Sequence, residues 1–98
     1  MYAAVATATA ELIHNPGIQA RAVLNSVFVD VTPEDDRIVK IAFVDAPEQG
    51  HIRVDFILLD ARKAHLDTVT GTFPAGQAAG QVHRALFDVI DAWCPPVS

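Results

Sequence analysis

The sequence is poor in cysteine, in basic residues and in long apolar runs. Cys94 is the single cysteine among 98 residues, so no disulfide can form within the chain, and a disulfide-stabilised secreted fold is excluded. Apolar runs such as Phe56-Ile57-Leu58-Leu59 fall far short of the about 20 residues that span a membrane. The first residues also lack the basic start of a signal peptide. We therefore expect a cytoplasmic protein without a membrane partner.

Basic residues are outnumbered by acidic ones. The chain has seven Lys and Arg against twelve Asp and Glu, which gives a net charge of −5 and an isoelectric point near 5.1. An acidic surface repels a phosphate backbone, and the scattered basic residues form no stripe along the sequence. We therefore expect no nucleic-acid partner.

Apolar residues, in contrast, are abundant. They make up 51% of the chain, and the mean hydropathy is +0.27. A domain this small has too much surface for its volume to hide that many apolar side chains alone. The composition predicts one domain over residues 1–98 that associates into a homo-oligomer, most simply a dimer, and leaves room for a further protein partner.

Three stretches show the period-two alternation of half-buried strands. They cover residues 27–31, 39–43 and 52–56, where Val, Ile and Phe alternate with polar residues. Turn-forming residues separate the stretches at 32–36 and 46–50, and turns this short connect antiparallel neighbours. The pattern predicts an antiparallel meander.

Helical patterns flank this meander. Residues 2–14 are rich in alanine and free of glycine and proline, and residues 72–94 carry a long apolar stripe, as amphipathic helices do. Residues 18–25 fit either a short helix or the start of a strand, 68–70 fit a short fourth strand, and Asp60 is placed to cap a turn. The predicted fold class is α+β: a three- to four-stranded antiparallel meander flanked by an N-terminal and a long C-terminal helix, in the order α-β-β-β-(β)-α.

Matching the apolar faces of the strands predicts their register. It pairs Phe43 with Ile52 and Val29 with Ile41, because a slip by one residue would turn every core side chain into water. On the opposite face, this register predicts one row of alternating charges, Asp30–Lys40–Asp55. With two neighbours on that face, the candidate polar binding residues are Asp30, Lys40, His51, Arg53 and Asp55.

Apolar positions interrupt the polar face at the end of the third strand. Ile57 and Leu59 stand where polar residues are expected, so we expect this end to be covered on both sides, by another segment or another subunit. The apolar face of the last helix is also wider than one sheet contact needs. The candidate interface residues are Phe56, Ile57, Leu59, Phe87, Ile90 and Trp93.

No pattern in the sequence indicates catalysis or metal binding. The four histidines lack the spacing of a metal site, and the acidic turn Glu34-Asp35-Asp36 is too short for a calcium loop. Neither serine lies in a nucleophile elbow. We predict no catalytic residue, no metal site and no cofactor, which makes an enzyme the less favoured reading.

Three functions remain open from the sequence. The first is a non-catalytic interaction or assembly protein that forms a homodimer, as the apolar excess suggests. The second is a small-molecule-binding domain or small enzyme with a pocket between sheet and helix. The third is an acidic inhibitor of another macromolecule, which the net charge of −5 would suit.

Overall fold

The fold is a five-stranded antiparallel sheet between an N-terminal and a C-terminal helix. The computed structural model describes residues 2–13, 19–32, 37–60 and 62–93, and all statements on the fold refer to these. The elements are α1 (Ala3–Leu12), β1 (Gln19–Val23), β2 (Ser26–Thr32), β3 (Arg37–Asp45), β4 (His51–Leu59), β5 (His65–Pro74), a 3-10 turn (Ala75–Gln77) and α2 (Ala78–Trp93). The strands lie in the sheet in chain order. The predicted α+β meander is confirmed.

The sheet is wider than the sequence predicts, with an additional strand at one edge and a longer fourth strand at the other. The segment that fitted either a helix or a strand is β1, which pairs with β2 along its whole length. The short fourth strand predicted at 68–70 is the ten-residue β5, so the predicted helix start at Thr72 is wrong and α2 begins at Ala78. The physical reason is that β4 offers a full-length hydrogen-bonding partner to the alternating threonines of β5, and β-branched residues pack well on a pleated sheet.

The predicted register is wrong by two residues at both inner strand pairs. Phe43 pairs with Val54 rather than Ile52, and Val29 pairs with Val39 rather than Ile41. A shift of two keeps every side chain on its own face, so the apolar pattern fits both registers equally well.

The predicted charge row does not form, because of this shift. Lys40 lies between Phe28 on β2 and Ile57 on β4. Asp30 is opposite Ile38, and Asp55 is opposite Ala42.

One face of the sheet, here called the helical face, carries the core. Helix α1 packs on β1 and β2, α2 packs on β4 and β5, and the two helices contact each other. The large side chains buried beneath them include Ile41, Phe43 and Phe56. The predicted apolar stripe of α2 is confirmed at its three core positions, Val82, Leu86 and Val89, which are all buried. Phe56, a candidate interface residue, is only 1% exposed and belongs to this core.

Two tight turns depend on single side chains. Asp60 caps the β4–β5 turn as predicted: its carboxylate Oδ1 accepts hydrogen bonds from the backbone N–H groups of Arg62 and Ala64, each at 2.9 Å. In the β1–β2 hairpin, the Nδ2 of Asn25 donates to the carbonyl of Phe43 at 3.0 Å. The backbone N–H of Phe43 returns a bond to the carbonyl of Asn25 at 3.1 Å. Asn25 therefore ties the hairpin to β3.

Leu24, the other residue of this two-residue hairpin loop, has a left-handed backbone. Its φ is 55°, and its side chain is 82% exposed, so no packing compensates for the strain of a leucine in this region. A hairpin loop with a positive φ at its first position is the geometry that glycine suits best.

We expect Leu24→Gly to stabilise the protein by about 0.5–1 kcal/mol, because the relief of left-handed strain exceeds the added chain entropy of glycine. Urea unfolding measures the change. Leu24→Ala is the matched control, since it also removes the exposed side chain but keeps a β-carbon at positive φ, and it should not stabilise. Equal effects of both variants would contradict the backbone explanation.

A side-chain hydrogen bond links the start of α1 to the end of β3. The phenol of Tyr2 donates a hydrogen bond to the carboxylate of Asp45. This bond, with the negative charge of Asp45, raises the pKa of the Tyr2 phenol above its ordinary value of about 10. The contact favours the neutral phenol. Its contribution to stability is therefore complete below the unfolded-state pKa and is lost as the pH rises through the folded-state pKa.

Phenolate absorbance tests the Tyr2–Asp45 hydrogen bond directly, because Tyr2 is the only tyrosine of the chain. We expect the titration midpoint of the native protein to lie above 10 and that of Asp45→Ala to fall towards 10. Asp45→Asn keeps an acceptor but removes the charge, so its midpoint should lie between the two. A midpoint that Asp45→Ala leaves unchanged would show that the hydrogen bond does not form in solution.

Candidate functional site

The face of the sheet opposite the helices, here called the outer face, is open among the described residues. Both helices pack on the helical face, and alternation along each strand turns every second side chain outward. The side chains of the outer face, strand by strand, are Gln19, Arg21 and Val23; Ser26, Phe28 and Asp30; Ile38, Lys40, Ala42 and Val44; His51, Arg53, Asp55, Ile57 and Leu59; and Thr68, Thr70 and Thr72.

Two cations flank one aromatic ring on this face. The guanidinium carbon of Arg21 lies 5.7 Å from the centroid of the Phe28 ring, and the Nζ of Lys40 lies 5.8 Å from it. The register explains the arrangement, because Arg21 and Lys40 are the direct neighbours of Phe28 on β1 and β3. Both distances fall within the range of cation–π attraction. The aliphatic stems of the two cations also shield apolar surface.

Asp55 is engaged by neighbours other than the predicted Lys40. Its Oδ1 accepts hydrogen bonds from the Nε of Arg53 at 3.2 Å and from the hydroxyl of Thr70 at 2.9 Å. The Arg53 side chain is about half exposed and that of Asp55 mostly covered. The carboxylate is thus neutralised within β4 and anchored to β5.

The five predicted polar residues share the outer face without forming one cluster. Only Arg53 and Asp55 touch. His51 lies at the start of β4, where its Nδ1 is 3.1 Å from the carbonyl oxygen of Gln49 and 3.9 Å from the carboxylate of Glu48. The face assignment from alternation is correct for all five, and the contact between Arg53 and Asp55 joins neighbouring outward residues of the same strand.

The outer face is apolar at the end where β3 begins and β4 ends. Ile38 and Leu59 lie directly opposite each other, and Ile57 is the next outward residue of β4. Phe28 on β2 lies diagonally across from Ile38 and completes this patch, whose four side chains are half-buried. The sequence signal for Ile57 and Leu59 was the break in alternation. The contacts of Phe28 with Arg21 and Lys40 could not be predicted from the sequence, because they depend on which residues the strand pairing places side by side.

The candidate interface residues of α2 lie at its margins. Ile90 and Trp93 pack against the edge of the core, and the indole Nε1 of Trp93 donates to the carboxylate of Asp67 on β5 at 3.0 Å. The ring of Phe87 stands edge-on to that of His83, with centroids 5.1 Å apart. These three side chains are half-buried, so the monomer itself accounts for much of the wide apolar face of α2.

Charge is distributed unevenly over the molecule. Arg21, Lys40 and Arg53 face outward with Asp30 and Asp55, so the outer face carries a formal +1 within a chain of −5. The rest of the chain therefore carries −6. Among the described residues outside this face, seven acids stand against four bases, a formal −3.

Neither a metal centre nor a membrane span is found in the described part of the chain. No group of three or more His, Cys, Asp or Glu side chains there is arranged to hold a metal ion. None of its helices combines the length and the apolar character needed to cross a bilayer.

Comparison with known proteins gives no match: no family model fits the sequence, and no curated protein or solved structure is significantly similar to the chain.

Proposed function

We propose that this protein is a non-catalytic assembly protein that forms a homodimer by packing its outer face against the outer face of a second copy. The observation that carries the proposal is the apolar patch at one end of that face. Its four half-buried side chains are Phe28, Ile38, Ile57 and Leu59. Contiguous apolar surface of this kind on a small domain is typical of a protein–protein contact.

The size of the outer face fits a dimer interface. Five strands spaced about 4.8 Å apart give a width of about 24 Å, and the strands, which average eight residues, give a length of about 26 Å. The resulting plan area of about 620 Å² underestimates the accessible surface of a corrugated face. A standard interface buries about 800 Å² per partner, so this face is large enough for one.

The charges of the outer face can be matched by a two-fold axis. Among the described residues, neither Lys40 nor Asp30 forms an ion pair, whereas Arg53 and Asp55 pair with each other. An axis that runs between Lys40 and Asp30 places each opposite the other residue of the second copy. An isologous interface then contains this pair twice.

Small-molecule binding between sheet and helices has less support. The side chains between those layers are apolar and buried, whereas the polar candidates Lys40, His51 and Arg53 are on the opposite face. A pocket there would lack the convergent polar groups that orient a ligand. Acidic inhibition of another macromolecule would use the −6 outside this face, and no particular contact of the described residues favours it.

We expect Ile57→Lys and Leu59→Lys each to weaken self-association at least about tenfold, because each variant buries an unpaired charge in the interface. Size-exclusion chromatography with light scattering at high micromolar concentration measures the change. Leu12→Lys is the matched control, since Leu12 is an apolar side chain of α1 that is 44% exposed and far from the outer face. It should leave the mass unchanged.

Circular dichroism and urea unfolding show whether each variant keeps its fold. A native protein that is monomeric at high micromolar concentration would contradict the proposed dimer. Folded lysine variants that keep the native mass would place the interface elsewhere.

Charge reversal tests the proposed Lys40–Asp30 contact between copies. We expect Asp30→Lys and Lys40→Asp each to weaken the dimer, because each creates two like-charge contacts across the axis. The double variant should regain most of the lost affinity, since it restores both pairs in the opposite sense. Failure of the double variant to recover, with its fold intact, would exclude this axis.

A further inference from the structure

The last strand, β5, is an open edge of the sheet. Among the described residues it pairs with β4 on one side only, and its first six residues, 65–70, are all exposed. The free side of such a strand presents a row of unpaired backbone N–H and C=O groups. These groups are a template for another strand.

The two edges of the sheet differ in how they are protected. Strand β1 has five residues with Arg21 at its centre, and α1 packs on it. Strand β5 has ten residues, and residues 68–73 include neither a charge nor a proline. Short length, central charge and a covering helix are the usual protections of an edge strand. Strand β1 has all three, whereas β5 has only the third, because α2 packs on its helical face.

The side chains of β5 suit pairing with an identical strand. Thr68, Thr70 and Thr72 point to the outer face, while Val69 on the helical face is 42% exposed. The ring of Phe73 covers Gly71, with its Cε2 3.0 Å from where a β-carbon would stand, so the glycine position of the strand is filled. Threonine and valine favour extended backbone, and threonine pairs across antiparallel strands are stabilising.

We propose that β5 of one copy pairs antiparallel with β5 of a second copy about a two-fold axis, which joins the two sheets into one continuous sheet. With the axis at Thr70, Thr68 lies opposite Thr72 of the second copy. Asp67, the nearest acid, then lies opposite Phe73 rather than opposite another Asp67. The pairing thus places β-branched residues opposite each other and keeps the two Asp67 carboxylates apart, which favours a second copy as the partner.

This pairing deepens the proposed assembly function but uses a separate surface. The outer-face contact stacks two sheets, whereas the β5 contact extends one sheet sideways. If both form, the native particle contains more than two chains, either as a closed tetramer or as a longer array, depending on whether the two axes intersect.

The decisive variant is Thr70→Lys, which places two lysines opposite each other at the axis. Thr70→Val is its matched control, since it has nearly the same shape and β-propensity but no charge. In light scattering at high micromolar concentration, we expect a native mass near four chains or more. Thr70→Lys should reduce a tetramer twofold, to the outer-face dimer, and Thr70→Val should leave the mass unchanged.

Combination with Ile57→Lys separates the two interfaces. Ile57→Lys alone should give the β5-paired dimer, and Ile57→Lys with Thr70→Lys should give a monomer. If Ile57→Lys alone is already monomeric and Thr70→Lys leaves a native dimer unchanged, the β5 pairing is overturned and the outer-face dimer stands. If Thr70→Lys alone makes a native dimer monomeric and Ile57→Lys does not, the outer-face dimer fails and the edge pairing stands.

Hydrogen exchange gives a second readout on the native protein. About half of the β5 amides point away from β4 and are exposed to water in a monomer. Pairing at the open edge protects these amides from exchange. A peptide covering residues 65–74 should exchange more slowly at high than at low protein concentration, while residues 19–23 of the other edge should not change. Concentration-independent exchange of residues 65–74 would overturn the pairing, even if Thr70→Lys did not fold.

Discussion

A sheet of five strands with only two helices to cover it can be buried on one face alone. Both helices, α1 with 10 residues and α2 with 16, pack on the helical face. Residues of that face such as Val39, Ile41 and Phe43 have no exposed surface. The outer face and the β5 edge are open because the described elements that could cover them are already placed elsewhere.

This constraint also explains the apolar excess of the chain. Part of the 51% apolar content fills the core, and part lies on the outer face in the patch around Ile57. Burying apolar surface is the main favourable contribution to association, and a domain of this size has little interior left in which to bury it. In the proposed dimer, the outer face of the second copy covers this patch.

A structural feature can be predicted from the sequence only where it produces a pattern of apolar and polar residues. Alternation assigns side chains to faces, and it did so correctly for Lys40, Arg53 and Asp55. It cannot distinguish registers that differ by two residues, because both put the same side chains in the core. The predicted Lys40–Asp55 neighbours were therefore separated, and the observed partners of Asp55 are Arg53 and Thr70.

The edges of the sheet were the least predictable part for a related reason. An exposed edge strand buries few side chains, so β1 and most of β5 lack the strong alternation that marked the three inner strands. Their strand state comes from hydrogen bonds to a neighbour already in place. That information lies in the pairing rather than in the segment itself.

The sequence by itself determined the class of fold, the three inner strands, the amphipathic C-terminal helix and the face on which each inner side chain lies. These features follow from local periodicity and from the burial of apolar residues, which any register consistent with the pattern preserves. Only the tertiary structure decided the register, the edge strands and the contacts of Phe28 and Asp55. Those features depend on which strand lies next to which, and turns and backbone hydrogen bonds specify that without leaving a periodic trace in the sequence.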